Sequence, residues 1–271
     1  MEELITGCIV LYRNETDMLK KAIDSFLNSK LNLKLYLIDN SPSDDLKVLA
    51  TDPRIEYFHN TNNDGFGKAH NIAIRKSRGL SKYHVVMNPD IYFNEDVLNV
   101  LRKLLDSDES IGIVAPNVLY PDGKLQPLAK LLPTPFDFLS RRFVPFAALK
   151  NRLVRKYEMH MYRYDMVLDV PFLSGCFMFC RSQALHTVDG FDEKIFMYTE
   201  DTDLCRRVNE GGFRTILFPF TTIYHDHEKK SFLKYSTLKI YLKSSVYYFN
   251  KWGWFFDGNR RRINQKTLKQ L

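Results

Sequence analysis

The sequence has no phosphate loop. GxxxxGK[ST] is absent, and the first apolar run is followed by Arg13-Asn14-Glu15 where a dinucleotide-binding chain would place GxGxxG, so P-loop and dinucleotide-binding Rossmann readings lose their main support. Paired cysteines are missing too. Cys8, Cys176, Cys180 and Cys205 form no CxxC and sit inside apolar or helical patterns, which reads as reduced core residues in a cytoplasmic protein and not as a metal cage or a disulfide framework. No apolar run reaches the ~20 residues of a spanning helix: the longest, Val170 to Cys180, is interrupted by Pro171, Ser174 and Gly175. The opening MEELITGCIVLY lacks a basic n-region and a small-residue cleavage site, so no secretory signal is expected. A soluble or peripheral protein follows from these absences.

What is present is material for one substantial core, since 45% of the 271 residues are hydrophobic and 14% aromatic. The net charge of +7 gathers at one end, where residues 229–271 carry eleven lysines and arginines against a single acid, Asp257. A basic tail meets anions, either nucleic acid or acidic lipid. No recognition motif accompanies it, so a nucleic-acid partner is not expected.

Along the chain, Ile5 to Tyr12, Leu33 to Asp39, Ile55 to His59, Tyr83 to Met87 and Ile111 to Pro116 read as strands. Asp17 to Asn28, a segment from Ala69 and Glu95 to Leu105 space their apolar residues as helices between them. This alternation predicts an α/β fold with crossover units and a mostly parallel central sheet flanked by helices. Ligands of such a sheet bind beyond the carboxyl ends of its strands. Asp39 ends one strand and Asp90, in Asn88-Pro89-Asp90, follows another, so both carboxylates should face one crevice. Beyond Pro116, Pro121-Asp122-Gly123 predicts a hairpin turn, and Gln126 to Asp165 lacks periodicity and reads as a mobile or partner-facing insert. Val170 to Cys180, a helix over Thr199 to Glu210 and a strand over Phe213 to Phe218 follow. Phe232 to Phe256 spaces aromatics near helical period among lysines.

Local pattern leaves the chemistry open. Asp39 and Asp90 fit turn-forming strand ends as well as a ligand site. Glu200, Asp201 and Asp203 fit the first turn of a helix capped by Thr199, where the macrodipole favours negative charge. They also follow the apolar Ile195-Phe196-Met197-Tyr198, which predicts a poorly hydrated carboxylate of raised proton affinity, suited to a general base. His225 and His227, two apart after a strand, fit a metal or anion site or a pair of surface histidines.

Taken in order, the segments "CIVLYRNE", "LIDNSPSDD", "NNDGFGKAHNIAI", "VVMNPDIYF", "APNVLYPDGKLQ", "FLSGCFMFCRSQAL", "GFDEKIFMYTEDTDLCRRV" and "IYHDHEKKS" resemble the family-2 glycosyltransferases of the GT-A fold, above all bacterial rhamnosyltransferase-like members that build surface polysaccharides. The resemblance runs from Ile5 to about Ser231. It implies a catalytic domain over 1–228, with a nucleotide-binding half over 1–116 and an acceptor half over 117–228, and a basic aromatic helical extension over 229–271. Donor binding falls to Tyr12, Asn14, Glu15, Asp39, Asn71 and Asn88, with Asp39 accepting from a pyrimidine base. Asp90 matches the last acid of the DxD metal motif and His225 a metal-proximal position, with Mg²⁺ or Mn²⁺ as cofactor. Asp201 matches the catalytic base, Glu200 supports it, and Asp203 and Tyr198 lie on the acceptor side.

One departure is Asn88 in place of the first acid of DxD, since an amide can coordinate a hard cation but brings no charge. The implied partners are a UDP- or dTDP-sugar, a glycan or lipid-linked acceptor, an anionic inner membrane face reached by Trp252, Trp254, Phe255 and Arg260-Arg261-Arg262, and a second copy in a homodimer. Two rivals remain: a nucleotidyltransferase, whose glycine-rich signature "LYRNETDML" does not provide, and a catalytically silent scaffold.

Overall fold

The computed structural model describes residues 3–94, 96–138, 155–226 and 235–271. Strands β1 (Ile5–Leu11), β2 (Leu33–Asp39), β3 (Ile55–His59) and β4 (Tyr83–Met87) lie side by side in the order β3-β2-β1-β4, all parallel. Their near-continuous apolar runs follow from cover on both faces. Ile9, Leu35 and Val85 pack under helices α1 (Thr16–Leu27) and α3 (Val97–Ser107), while Cys8, Tyr36 and Ile38 pack under α2 (Phe66–Lys76) through Ala69 and Ala73. In α1 the buried set is Leu19, Ala22, Ile23, Phe26 and Leu27, one stripe at helical spacing. Gly7 is required beneath it, since a Cβ there would meet the Phe26 ring at 2.5 Å.

The second half makes the sheet mixed. After the two-residue β5 (Ile91–Tyr92) come β6 (Ile111–Leu119), β7 (Ala129–Lys130), β8 (Leu168–Asp169), β9 (Phe172–Leu173), β10 (Phe177–Arg181) and β11 (Arg214–His225). Strand β10 inserts antiparallel between β4 and β6, β11 runs parallel to β6, and β5 closes that edge antiparallel to β11. The expected strand from Phe213 to Phe218 is thus half of a 12-residue strand. Its pairing with β6 shifts register between Phe218 and Thr222. Pro219 lies inside that shift and cannot donate to a ladder, so the strand bulges there and its end turns toward β5. Tyr92 and Tyr224 stack on this edge, ring centroids 5.2 Å apart.

Pro121-Asp122-Gly123 does form a turn, with Tyr120 N donating to Lys124 O at 2.8 Å. The described ends of the 126–165 region are ordered, and β7 pairs with β9; residues 139–154 lie outside the described residues. Val170 to Cys180 splits at Ser174-Gly175 into β9 and β10. After β10 come helices α4 (Ser182–Thr187), α5 (Glu200–Glu210), α6 (Tyr235–Trp252) and α7 (Gly258–Leu268). No described helix is long and apolar enough to cross a membrane. All four cysteines are free and buried, as expected.

Candidate active site

The carboxyl ends of β1, β2 and β4 form one edge. Asp39 pairs with Leu11 across β2 and β1 and is fully buried. Its Oδ1 accepts from Ser41 N at 2.8 Å and its Oδ2 from the Tyr57 hydroxyl at 2.7 Å. Burial and then the bond to Asp39 push the Tyr57 pKa up. A carboxylate keeps lone pairs beyond two such bonds, but a group so enclosed meets a ligand only when the turn around it shifts. Beside it, Asn14 Oδ1 accepts from Tyr12 N at 2.8 Å and closes a turn in which Arg13 takes φ +54°. The Tyr12 ring and Glu15 stand exposed there.

Asn71 is placed otherwise than a pocket wall would require. It is buried, its Oδ1 accepts from Phe191 N at 2.8 Å, and its Nδ2 donates to Phe191 O at 2.9 Å. Both ends of the amide clamp α2 to the 190–193 segment, and a Cβ on Gly190 would meet Asn71 Oδ1 at 2.3 Å. The side chain is occupied as a brace.

At the end of β4, Asn88 N donates to Cys176 O at 2.8 Å, and Asp90 follows after Pro89. Asp90 Oδ1 lies 3.3 Å from His225 Nε2, brought there by the bulge in β11 and by Asp226 N donating to Asp90 O at 2.9 Å. The far side of the imidazole is set by a residue that sequence reasoning missed. Gln126 Nε2 donates to His225 O at 2.9 Å, which turns its Oε1 to His225 Nδ1 at 3.0 Å. Nδ1 therefore carries a proton toward Oε1, and Nε2 is the ring nitrogen turned to the carboxylate. Asp90 Oδ1 itself is buried with no hydrogen-bond partner among the described residues. A cation completes a carboxylate oxygen so placed. No group of three or more His, Cys, Asp or Glu gathers as a cage among the described residues. His227 lies outside them.

The other acids come from α5. Its first turn is entered through two consecutive left-handed residues, Tyr198 at φ +68° and Thr199 at φ +70°, a conformation that costs non-glycine residues energy and clusters at functional sites. Thr199 does not cap the helix with its side chain as expected; its hydroxyl reaches Ser244 O on α6 at 3.4 Å. The turn aims Asp201 at β10: Oδ2 accepts from Gly175 N at 3.0 Å and Oδ1 from Thr202 N at 2.7 Å. Burial raises the Asp201 pKa, opposed by those two N–H bonds and by the Lys130 charge. Glu200 is raised further, by burial and then by the charge of Asp201, and its Oε2 is buried without a partner among the described residues. Of the two, Asp201 has donors to hold a charge. A proton held by the pair is therefore favoured on Glu200 over Asp201.

These parts meet. The Cys176 thiol is pushed up to about 12, first by burial and in smaller part by the charges of both Asp90 and Asp201. The Asp39 side joins through the glycine loop: Asn40 Nδ2 donates to Gly65 O at 3.3 Å, and Phe66 N donates to Phe196 O at 3.0 Å. Gly65, at φ +85°, has no room for a side chain, because a Cβ would stand 2.1 Å from Phe196 O. Asp39, Asp90 and Asp201 thus lie along one edge of the sheet.

Asp203 does not join them. It is fully buried on the opposite side of α5, with Oδ2 accepting from Arg207 Nε at 2.7 Å and Oδ1 from Trp252 Nε1 and Lys251 Nζ at 2.8 Å each. Two residues along a helix rotate a side chain by more than half a turn, so Asp203 anchors α6 instead of facing an acceptor. Tyr198 packs edge-on against Tyr241 of α6, centroids 5.8 Å apart.

The family model described as Glycosyl transferase family 2 matches residues 8–188. The chain is 28% identical over 247 residues to the rhamnosyltransferase WbbL of Escherichia coli strain K12, covering 89% of this chain and 90% of that protein. It is 26% identical over 208 residues to the N-acetylglucosaminyl-diphospho-decaprenol L-rhamnosyltransferase of Mycobacterium tuberculosis, covering 71% of this chain and 66% of that one. Among solved structures, the mannosyltransferase PcManGT from Pyrobaculum calidifontis in complex with GDP-Man and Mn²⁺ superposes with a TM-score of 0.59 at 16% identity, over 85% of this chain and 59% of that one. GalNAc-T7 with UDP, GalNAc and Mn²⁺ gives 0.64 at 14% identity, over 92% and 50%. The likeness establishes the GT-A fold.

Proposed function

Because this chain belongs to glycosyl transferase family 2, we propose that it moves a sugar, rhamnose in first place, from a UDP- or dTDP-linked donor to a hydroxyl of a glycan or lipid-linked acceptor. On this reading the anomeric centre inverts and the product is a cell-surface polysaccharide. The observation that carries it is the Asp201 carboxylate, desolvated yet held ionised by the Gly175 and Thr202 N–H groups, at the edge where Asp90 and the glycine loop also end. A carboxylate of raised proton affinity accepts the proton of an attacking hydroxyl. The names of the two rhamnosyltransferase relatives support the sugar.

The residues at the edge of the sheet fit a divalent cation. Asp90 Oδ1 and His225 Nε2 would hold it together with diphosphate oxygens of the donor, which leaves the amide of Asn88 as a weak contributor. When bound, Mg²⁺ or Mn²⁺ supplies Lewis-acid neutralisation of the leaving diphosphate. Gln126 orients His225 for this. The Tyr12–Glu15 turn and the Ser41–Asn40 backbone shape the nucleotide end, with Asp39 fixing that turn from beneath. Phe196 to Tyr198 shield Asp201 from water, which would otherwise compete as acceptor. The catalytic unit is residues 1–228, divided near 116 into donor and acceptor halves, and of the extension over 229–271 the described residues 235–271 brace it.

A panel of UDP-, dTDP- and GDP-sugars with Mn²⁺, read by thermal shift and then by turnover on a lipid-linked glycan, tests the reading. A stabilising donor whose product carries the inverted anomer supports it. No donor binding, or a retained anomer, overturns it.

A further inference from the structure

Between α6 and α7 the chain holds apolar side chains out in water. Phe256 is 99% exposed, Phe255 65% and Trp254 38%, and Phe136, 62% exposed, faces Phe255 with ring centroids 6.3 Å apart. Loop tips of this kind are ordinarily loose, but this one is bolted down by buried charge. The enclosed guanidinium of Arg260 donates to Trp254 O at 3.0 Å and Pro133 O at 3.3 Å. Asp257 accepts from Arg260 N at 2.9 Å and forms a two-pronged pair with Arg206 at 2.6 and 2.9 Å. No core need explains a rigid mount that presents aromatic rings to solvent.

Behind the projection lies a groove of about 920 Å³, walled by Leu131, Leu132, Tyr157 and Leu268 and rimmed by Lys156 and Arg261. Its two acids are engaged, Asp257 by Arg206 and Asp137 by Thr134, whose N and hydroxyl both donate to it at 2.7 Å. Helix α7 contains no acid, and its Arg262 and Lys266 line a separate groove with Asp169 and Glu210. The Leu131 wall adjoins Lys130, whose charge acts on Asp201.

We propose that this face seats the protein on an anionic lipid bilayer, Phe255 and Phe256 entering the interface while Arg261 and Lys156 meet headgroup phosphates. An apolar tip ringed by cations complements a lipid surface, which is apolar within and anionic at its rim. Trp252 and Arg260, expected among the lipid contacts, are instead inside the fold, on Asp203 and on backbone carbonyls. The proposal takes its purpose, though not its binding chemistry, from the reading of a lipid-linked acceptor.

The test is co-sedimentation of the full chain with phosphatidylcholine vesicles, with and without about one-third phosphatidylglycerol. The full chain is expected in the pellet with anionic vesicles and in the supernatant with neutral ones. Phe255→Ser with Phe256→Ser should lower partitioning by about tenfold or more, and Arg261→Glu by a few-fold at low salt, while Val48→Ser, exposed elsewhere, leaves it unchanged. Brominated lipids should quench the fluorescence of Trp254 in the full chain. Wild-type protein left in the supernatant, or a double serine variant that pellets like wild type, overturns the proposal. So does a self-association that the double variant abolishes while vesicles bind neither form. Donor binding in solution, measured on the same preparations, reports on the transferase assignment separately.

Discussion

Two faces of α5 hold carboxylates in opposite circumstances. On the face toward the sheet edge, Glu200 Oε2 has no partner among the described residues and Asp201 rests on two backbone N–H groups. On the face toward the C-terminal helices, Asp203 is saturated by Arg207, Lys251 and Trp252, and Arg206 is shared between Asp257 and the Trp252 ring, 4.0 Å from its centroid. One helix thus carries a carboxylate saturated by its donors and another that is not. Buried polar groups are ordinarily satisfied. The shortfall on one side, next to a strained left-handed turn, marks where something outside the chain is meant to complete it.

The largest effect expected from breaking this contrast is on Asp201. Asp201→Asn preserves the size of the side chain but removes the base, so turnover should fall by about 10²–10⁴, with donor affinity from calorimetry unchanged. Turnover near wild type would remove Asp201 from the chemistry. Asp203→Ala should act on the fold instead, because it removes the buried acceptor shared by Arg207, Lys251 and Trp252 and leaves a cavity. A loss of about 3 kcal/mol in denaturant unfolding is expected, with activity per folded molecule largely kept. Should Asp203→Ala leave stability intact and abolish acceptor use, the two faces would have to be exchanged.

The metal end sharpens the same comparison at smaller magnitude. Gln126 touches no reacting group; it fixes which nitrogen of His225 faces Asp90. Gln126→Leu should weaken Mn²⁺ binding about tenfold, followed by electron paramagnetic resonance without substrate, and Gln126→Glu should restore much of it, since a carboxylate oxygen accepts from Nδ1–H equally well. Asp90→Ala should weaken the same titration further. An unchanged titration in Asp90→Ala would place the cation elsewhere.

How much of this was readable beforehand follows from what each feature depends on. Leu33–Asp39, Ile55–His59 and Tyr83–Met87 occupy the spans their apolar runs predict, because a strand covered on both faces has no competing local state. The insertion of β10 between β4 and β6, and the return of β5 to the far edge beside β11, rest on pairings between residues some 70 to 130 positions apart that no local pattern encodes. Helix α7 escaped notice because it docks through polar groups: Asn264 exchanges two hydrogen bonds with the Leu132 backbone, at 2.8 and 2.9 Å. The acids Asp39, Asp90 and Asp201 were visible as strand-end and post-apolar carboxylates. The opposite facing of Asp203 needed the partner helix, and Gln126 carried no signal beyond its place at the end of "YPDGKLQ".

The smallest and most discriminating expectation concerns Glu200. If the shared proton of the pair sits on Glu200, then Glu200→Gln replaces a neutral acid by a neutral amide, and turnover should stay within about fivefold of wild type. Stability carries the second readout. The folded pKa of Glu200 is raised by burial and by Asp201, so below the ordinary glutamate range both folded and unfolded chains hold the proton. As pH climbs from there to the raised value only the folded chain keeps it, and wild-type stability falls across that window. Glu200→Gln removes this term, so its Tm should decline less than that of wild type over the same interval. A variant that loses turnover as deeply as Asp201→Asn, with the wild-type slope of Tm against pH retained, would mean that the charge rests on Glu200 and that the base is one residue earlier on the helix.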